Sequence, residues 1–165
     1  MISCDGSCSN NQVKENLGGW AAVILQHTNT KDFSDGYTSV ASKHPVMISG
    51  SVRNTTNQRM ELTACIKALD YAKEIYTDQE VLVYTDSAYI VNCINDKWYA
   101  KWKRKGWITA IGTAVKNKDL WLELLDLLDA VPAKIIKVKG HSGDKYNELA
   151  DTLAKAAIAE EIERS

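Results

Sequence analysis

Hydrophobic and polar positions change period several times along this chain, and each change predicts an element. Residues 19–27 (GWAAVILQH) form an apolar run of strand length. Residues 36–41 and 46–52 read as further strands, separated by a turn near His44-Pro45. These three predict an antiparallel meander. From Gln58 to Tyr76 the period lengthens: Leu62, Cys65, Leu69, Ala72 and Tyr76 recur at helical spacing, with Lys67, Lys73 and Glu74 elsewhere on the wheel. Residues 81–85 (VLVYT) are apolar almost throughout, as in a strand buried on both faces. A helix follows over 87–94, with Asp86 or Ser87 as its cap. Residues 119–128 (DLWLELLDLL) are strongly helical, 134–139 (KIIKVK) form a short strand, and 146–163 an Ala-rich terminal helix. The order β-β-β-α-β-α-α-β-α implies an α/β (mixed α+β) fold: a mixed sheet with a parallel portion, flanked by helices. With no repeat, low-complexity tract or Pro/Gly-rich linker, residues 1–165 read as one domain.

Composition narrows the function classes only a little. The chain is 45% hydrophobic and 25% charged, the balance of an ordinary globular protein. Its formal net charge of -1 does not argue for a polyanionic partner, so the distribution of charge has to. No apolar run approaches the roughly 20 residues that span a bilayer. Met1 is followed by Ile-Ser-Cys-Asp rather than a basic and then apolar leader. The expectation is a cytoplasmic protein with no membrane association. Cys4 and Cys8 have the spacing of half a metal site, but no second Cys/His pair accompanies them; free thiols are the better reading of Cys4, Cys8, Cys65 and Cys93.

Four acidic residues carry the candidate chemistry. Glu61 shares a helix face with the small residues Ala64, Cys65 and Ala68, flanking the apolar stripe, where an unpaired charge is expensive. Asp86 follows the most apolar strand, and ligands of α/β sheets collect beyond the carboxyl ends of strands. Asp5 closes the short run Ile2-Ser3-Cys4, and Asp151 lies early in the last helix. Each has an ordinary structural alternative. Glu61 would suit a helix N-terminus, Asp86 a helix cap, Asp5 a turn and Asp151 a solvated helix face. Together they suggest clustered oxygen ligands for hard divalent cations. His27, His44 and His141 show no soft-ligand pattern.

The segments Cys4-Asp5-Gly6-Ser7-Cys8, Thr56-Asn57-Gln58-Arg59-Met60-Glu61-Leu62, Tyr84-Thr85-Asp86-Ser87 and Val138-Lys139-Gly140-His141-Ser142-Gly143, then Asn147-Glu148-Leu149-Ala150-Asp151, occur in this order. The chain thereby resembles the type 1 ribonucleases H over nearly its whole length. The resemblance implies the ribonuclease H-like fold, a five-stranded mixed sheet flanked by helices with a basic protrusion. It implies an endonuclease that hydrolyses the RNA strand of RNA/DNA hybrids by two-metal-ion catalysis, leaving 5′-phosphate and 3′-hydroxyl ends. Two Mg²⁺ ions, with Mn²⁺ as a substitute, would be held by Asp5, Glu61, Asp86 and Asp151, the catalytic carboxylates. His141 would assist proton transfer and product release. Its setting between two glycines independently suits a titratable side chain near neutral pH. The expected partner is the hybrid alone, with a monomer and no obligate protein partner.

Between Lys97 and Lys118 stand Lys101, Lys103, Arg104, Lys105 and Lys116, and no acidic residue. Trp98, Trp102 and Trp107 are interleaved, the first two four apart and so on one helix face. Cations and aromatic faces suit a nucleic-acid backbone; a solvated basic helix with its tryptophans on the core is the plainer alternative. The segment also resembles the family's basic protrusion, at about residues 97–118. By that resemblance Tyr89, Trp98 and Trp102 line the DNA-strand channel, and Thr56 and Asn117 bind a DNA phosphate. Asn57, Gln58 and either Asn10 or Asn11 would read the RNA strand, which the 2′-hydroxyl distinguishes.

The chain departs from the pattern in places. Only four residues precede Asp5, Cys4 stands where threonine is usual, and residues 9–17 lack the common Asn-Pro-Gly and carry extra residues. The Asp86-to-Trp98 spacing is one residue long. Alternatives from other classes are an inactive binding module of the same fold, a transposase- or integrase-like transferase, and a domain from a reverse transcriptase. The complete quartet, the basic Trp-rich segment with the His141 loop, and the Met1 start weigh against them in turn.

Overall fold

The computed structural model describes residues 1–9, 16–25, 27–32, 36–41, 45–75, 80–139 and 145–164, with the backbone alone for 27–32 and 36–41. Along it run β1 (Ile2–Ser9), β2 (Leu17–Ile24), β3 (His27–Asp32), β4 (Gly36–Ala41), β5 (Val46–Arg53) and α1 (Asn57–Ile75). Then come β6 (Val81–Thr85), α2 (Ala88–Asn95), α3 (Trp98–Arg104), α4 (Lys118–Ala130), β7 (Ala133–Lys137) and α5 (Lys145–Arg164). Five strands form one mixed sheet in the order β5-β2-β1-β6-β7. The predicted five-stranded mixed sheet is therefore present, but two of its expected parts are assembled differently.

The meander does not form. β2 pairs directly with β5, from Leu17 opposite Arg53 to Ile24 opposite Val46. Residues 36–41 leave the main sheet and pair with 27–32 as a separate two-stranded sheet. The run Thr28-Asn29-Thr30-Lys31-Asp32 has no apolar alternation to place against a core, whereas Val46 and Ile48 alternate toward one. The first strand is the other correction. It has eight residues and passes straight through Asp5, which faces Ala21 of β2 in mid-strand rather than occupying a turn.

Alternation along the central strands sorts the helices to the two faces. Cys4 of β1 points at α1, its Sγ 3.3 Å from that of Cys65. Two residues on, a Cβ on Gly6 would fall onto the Met60–Glu61 peptide, so only glycine admits this crossing of β1 and α1. On the opposite face, a Cβ on Gly19 of β2 would fall onto the Ala154 carbonyl of α5. The main core lies on the α1 face, where Leu62, Cys65 and Leu69 pack with Ile2, Val83, Trp121 and Leu124. The two helices that press closest on the central strands, α1 and α5, each carry a candidate carboxylate. Gly6→Ala must push α1 off β1. It should lower the unfolding free energy by about 1–3 kcal/mol, read from the urea midpoint; an unchanged midpoint would show that the crossing has slack.

Candidate active site

Parallel pairing of β1 with β6 sets Ile2 opposite Val83 and Ser3 opposite Tyr84. The same offset places Asp5 across from Asp86, beyond the last paired residues. The chain turns from β1 to β2 on one side of the sheet, while β6 lies on the other. A crevice therefore opens between the two strands, at the kind of switch point where α/β folds bind ligands. Asp5 points to the α5 face, where its carboxyl hydrogen-bonds to that of Asp151. Glu61 sits beside Gly6 at the tight crossing, close enough to Asp86 to feel its charge. Asp5 of β1 thus neighbours Asp151 of α5 and Asp86 at the end of β6, and Glu61 of α1 neighbours Asp86.

Burial and mutual repulsion dominate their electrostatics. Asp5 is only 6% exposed. Its carboxyl is pushed up to about 8, first by burial, then by the bond to Asp151 and the charges of Asp86 and Asp151, with the Gly6 N–H opposing. Glu61 is raised by burial and by Asp86, against a hydrogen bond with Ser87. Asp151 also meets Lys155 Nζ at 3.1 Å. Asp86 Oδ1 is buried with no hydrogen-bond partner among the described residues.

That orphaned oxygen is the feature an ordinary structural carboxylate would not have. Ser87, not Asp86, caps α2: its Oγ accepts from Ile90 N at 3.2 Å. Among the described residues, no three His, Cys, Asp or Glu side chains are already closed around a common point. Lys155 meets part of the negative charge, at Asp151. The donor set is all oxygen, acidic and partly desolvated, which fits a hard divalent cation.

Around this centre the other predicted residues fall into two groups. Thr56 caps α1, its Oγ1 accepting from Arg59 N at 3.2 Å, and Asn57 and Gln58 are exposed in the first turn. On the other side, α3 and the residues after it expose Lys101, Lys103, Arg104 and Lys105. Trp98 and Trp102 are half-buried and do two things. Trp102 packs against Trp107 and the fully buried Trp121, at centroid distances of 5.8 and 5.9 Å, which anchors the basic segment to the core. Their free edges, with Lys101, Lys105 and Ile108, border an open cleft of about 340 Å³. Tyr89 and Asn117 lie between the groups, joined by a hydrogen bond. His141, Asn10 and Asn11 lie outside the described residues.

Two further residues shape the site with little signal in the sequence. Asn16 holds the peptide of Thr55 from both sides, accepting from Thr55 N at 3.0 Å and donating to Thr55 O at 2.8 Å. It pins the stretch that leads into Thr56 and Asn57. Its one signal is its place in the unusual 9–17 loop. Arg59 stands inside a recognised motif, yet its partners Asn117 and Asp119 are about sixty residues away.

Comparison with known proteins agrees with this geometry. The RNase H family model matches residues 1–159. A ribonuclease H of Caldicellulosiruptor saccharolyticus is 41% identical over 160 residues, covering 97% of this chain and 96% of that protein. A ribonuclease H of Moorella thermoacetica is 41% identical over 158 residues, covering 96% and 90%. The crystal structure of LC9-RNase H1, a type 1 RNase H with the type 2 active-site motif, superposes with a TM-score of 0.77 at 29% identity, covering 96% of this chain and 71% of that one. With its sheet order and these relatives in agreement, the chain belongs to the ribonuclease H family.

Proposed function

We propose that Asp5, Glu61, Asp86 and Asp151 are the residues with which this chain performs the family's reaction, endonucleolytic cleavage of the RNA strand of an RNA/DNA hybrid. The observation that carries this is the buried oxygen of Asp86, without a hydrogen-bond partner among the described residues, beside the buried Asp5 carboxyl that Asp151 and Asp86 push up. In the proposal, the four carboxylates hold two Mg²⁺ ions, with Mn²⁺ as a substitute. Bound there, such ions activate a water and stabilise the leaving oxygen of a phosphodiester, giving 5′-phosphate and 3′-hydroxyl ends. Ser87 keeps Glu61 oriented through the bond that opposes its protonation.

The flanking groups divide the hybrid between them. Asn57 and Gln58, with Asn10 or Asn11, face the RNA strand. Thr56, Tyr89, Trp98, Trp102 and Asn117 face the DNA strand, and Lys101, Lys103, Arg104 and Lys105 its phosphates. His141 carries a proton during turnover. Contacts of this kind read backbone and shape, so sequence preference is weak. Among the described residues no helix is long and apolar enough to cross a membrane. The proposed setting is the cytoplasm, and the proposed working form a monomer needing no protein partner.

Asp86→Asn should abolish Mg²⁺-dependent cleavage of a hybrid while keeping stability within about 1 kcal/mol of the parent or raising it. A variant that cuts at the parental rate refutes the assignment, as does cleavage that survives a chelator.

The raised Asp5 carboxyl sets a pH dependence. Its folded value of about 8 lies above the ordinary 3.8, so between these limits the folded state binds the extra proton. Without divalent cations, stability is therefore greatest at the acid end of that window and falls as pH rises toward 8. Urea midpoints in chelator should show this loss, and Asp5→Asn should flatten it. A flat parental profile would contradict the raised Asp5 carboxyl.

Replacing Lys101, Lys103, Arg104 and Lys105 together by alanine should shallow the dependence of hybrid binding on salt. The log–log slope should drop by about 0.9 for each phosphate that these side chains no longer neutralise. An unchanged slope removes these residues from the interface.

A further inference from the structure

Between the carboxylate centre and the basic segment, the hydrogen bonds all run in one direction. Arg59 Nη1 donates to Asn117 Oδ1 at 3.3 Å and to Asp119 Oδ1 at 3.0 Å, and Nη2 to Asp119 Oδ2 at 2.7 Å. A guanidinium carries donors only, so the atom of the Asn117 carboxamide that faces it must be the oxygen. The amide nitrogen is turned the other way and donates to Tyr89 Oη at 3.3 Å. That phenolic oxygen also receives the Trp121 indole N–H at 2.8 Å, another group that can only donate. With both bonds accepted, Tyr89 has its own proton left to offer. Thr56 Oγ1 accepts from the backbone N–H of Arg59 at 3.2 Å, which leaves its O–H to donate.

The conformation of Asn117 shows the same preference. It occupies the N-cap of α4, where an asparagine ordinarily turns its oxygen onto its own helix. Here it makes no such bond and takes the left-handed region, with φ 64°. Its oxygen is committed to Arg59 instead.

We propose that Arg59 is a positioning residue that sets the hydrogen-bond polarity of a DNA-phosphate site formed by Thr56, Tyr89 and Asn117. Donor-only groups on the protein side, Arg59 and Trp121, leave donors on the solvent side: the second Asn117 amide hydrogen and the hydroxyls of Tyr89 and Thr56. Thr56 is exposed, and Tyr89 and Asn117 are half-buried, so these donors can be reached. A phosphodiester offers acceptors only and matches them; a base edge, with donors of its own, matches less well. Asp119 balances the charge of Arg59, so the guanidinium acts on the site through geometry. Without it, the Asn117 amide is free to turn its oxygen outward, against an anion. The inference rests on the DNA-strand assignment proposed above.

The test is a methylphosphonate walk, replacing one phosphate at a time on the DNA strand, and in parallel on the RNA strand, of a defined hybrid. The parent should lose roughly tenfold in KM at one DNA position, the scale of a hydrogen bond to a charged group, with kcat nearly unchanged. Arg59→Met should show a similarly raised KM on unmodified hybrid and no further loss at that position. Arg59→Lys, still donor-only, should retain the positional sensitivity, although both variants lose the two-pronged bond to Asp119 and melt lower. Sensitivity that survives in Arg59→Met overturns the role of Arg59. Loss in Arg59→Lys as complete as in Arg59→Met shows that the Asp119 pair was merely structural and overturns it too. A parent insensitive at every DNA position, or sensitive only on the RNA strand, refutes the underlying DNA-strand assignment and the proposal with it.

Discussion

Negative charge gathered in a partly dry crevice is the constraint on which the rest of this structure turns. Asp5 is nearly buried, Glu61 is partly desolvated, and Asp86 has an oxygen with nothing to bond to. Carboxylates so placed repel one another and are poorly hydrated, so burial and its neighbours raise the Asp5 carboxyl, and Lys155 lies against Asp151. The surrounding core must be firm enough to hold the arrangement.

That firmness comes from close backbone contact rather than bulk. β1 lies at the middle of the sheet, with α1 against one face and α5 against the other, and glycine is required at both contacts, Gly6 and Gly19. Small residues such as Cys4, Cys65, Ala64 and Ala154 let the layers approach until carboxylates from different elements share one crevice. The large side chains lie farther out, where Trp121 ties α4 and the basic segment to the core. Small residues set the spacing of the layers, and aromatic ones fix the placement of the basic segment.

Part of this was legible in the residues alone. The helical period from Leu62 to Ala72 and the apolar run of Val81 to Thr85 each report a single buried surface, and both elements form as read. The strand at 36–41 was also recognised, but its partner was not. Period-2 alternation says which side chains share a face and is silent about which strand lies alongside. Asp5 was harder still. Ser-Cys-Asp-Gly-Ser-Cys-Ser has the composition of a turn, and it is a strand because β2 supplies a ladder partner for every one of its residues.

The sequence by itself determined the helices and strands of strong period, the acidic and basic residue types on offer, and, through five motifs in order, the family. Local propensity and motif spacing are properties of neighbouring residues, so one chain read end to end contains them. Only the tertiary structure decided that Asp5 and Asp151 lie side by side, that Asn16 pins Thr55, and that Arg59 bonds to Asn117. Those are contacts across dozens of residues, and their energies depend on burial and on the direction of each hydrogen bond, which exist only once the layers have closed on one another.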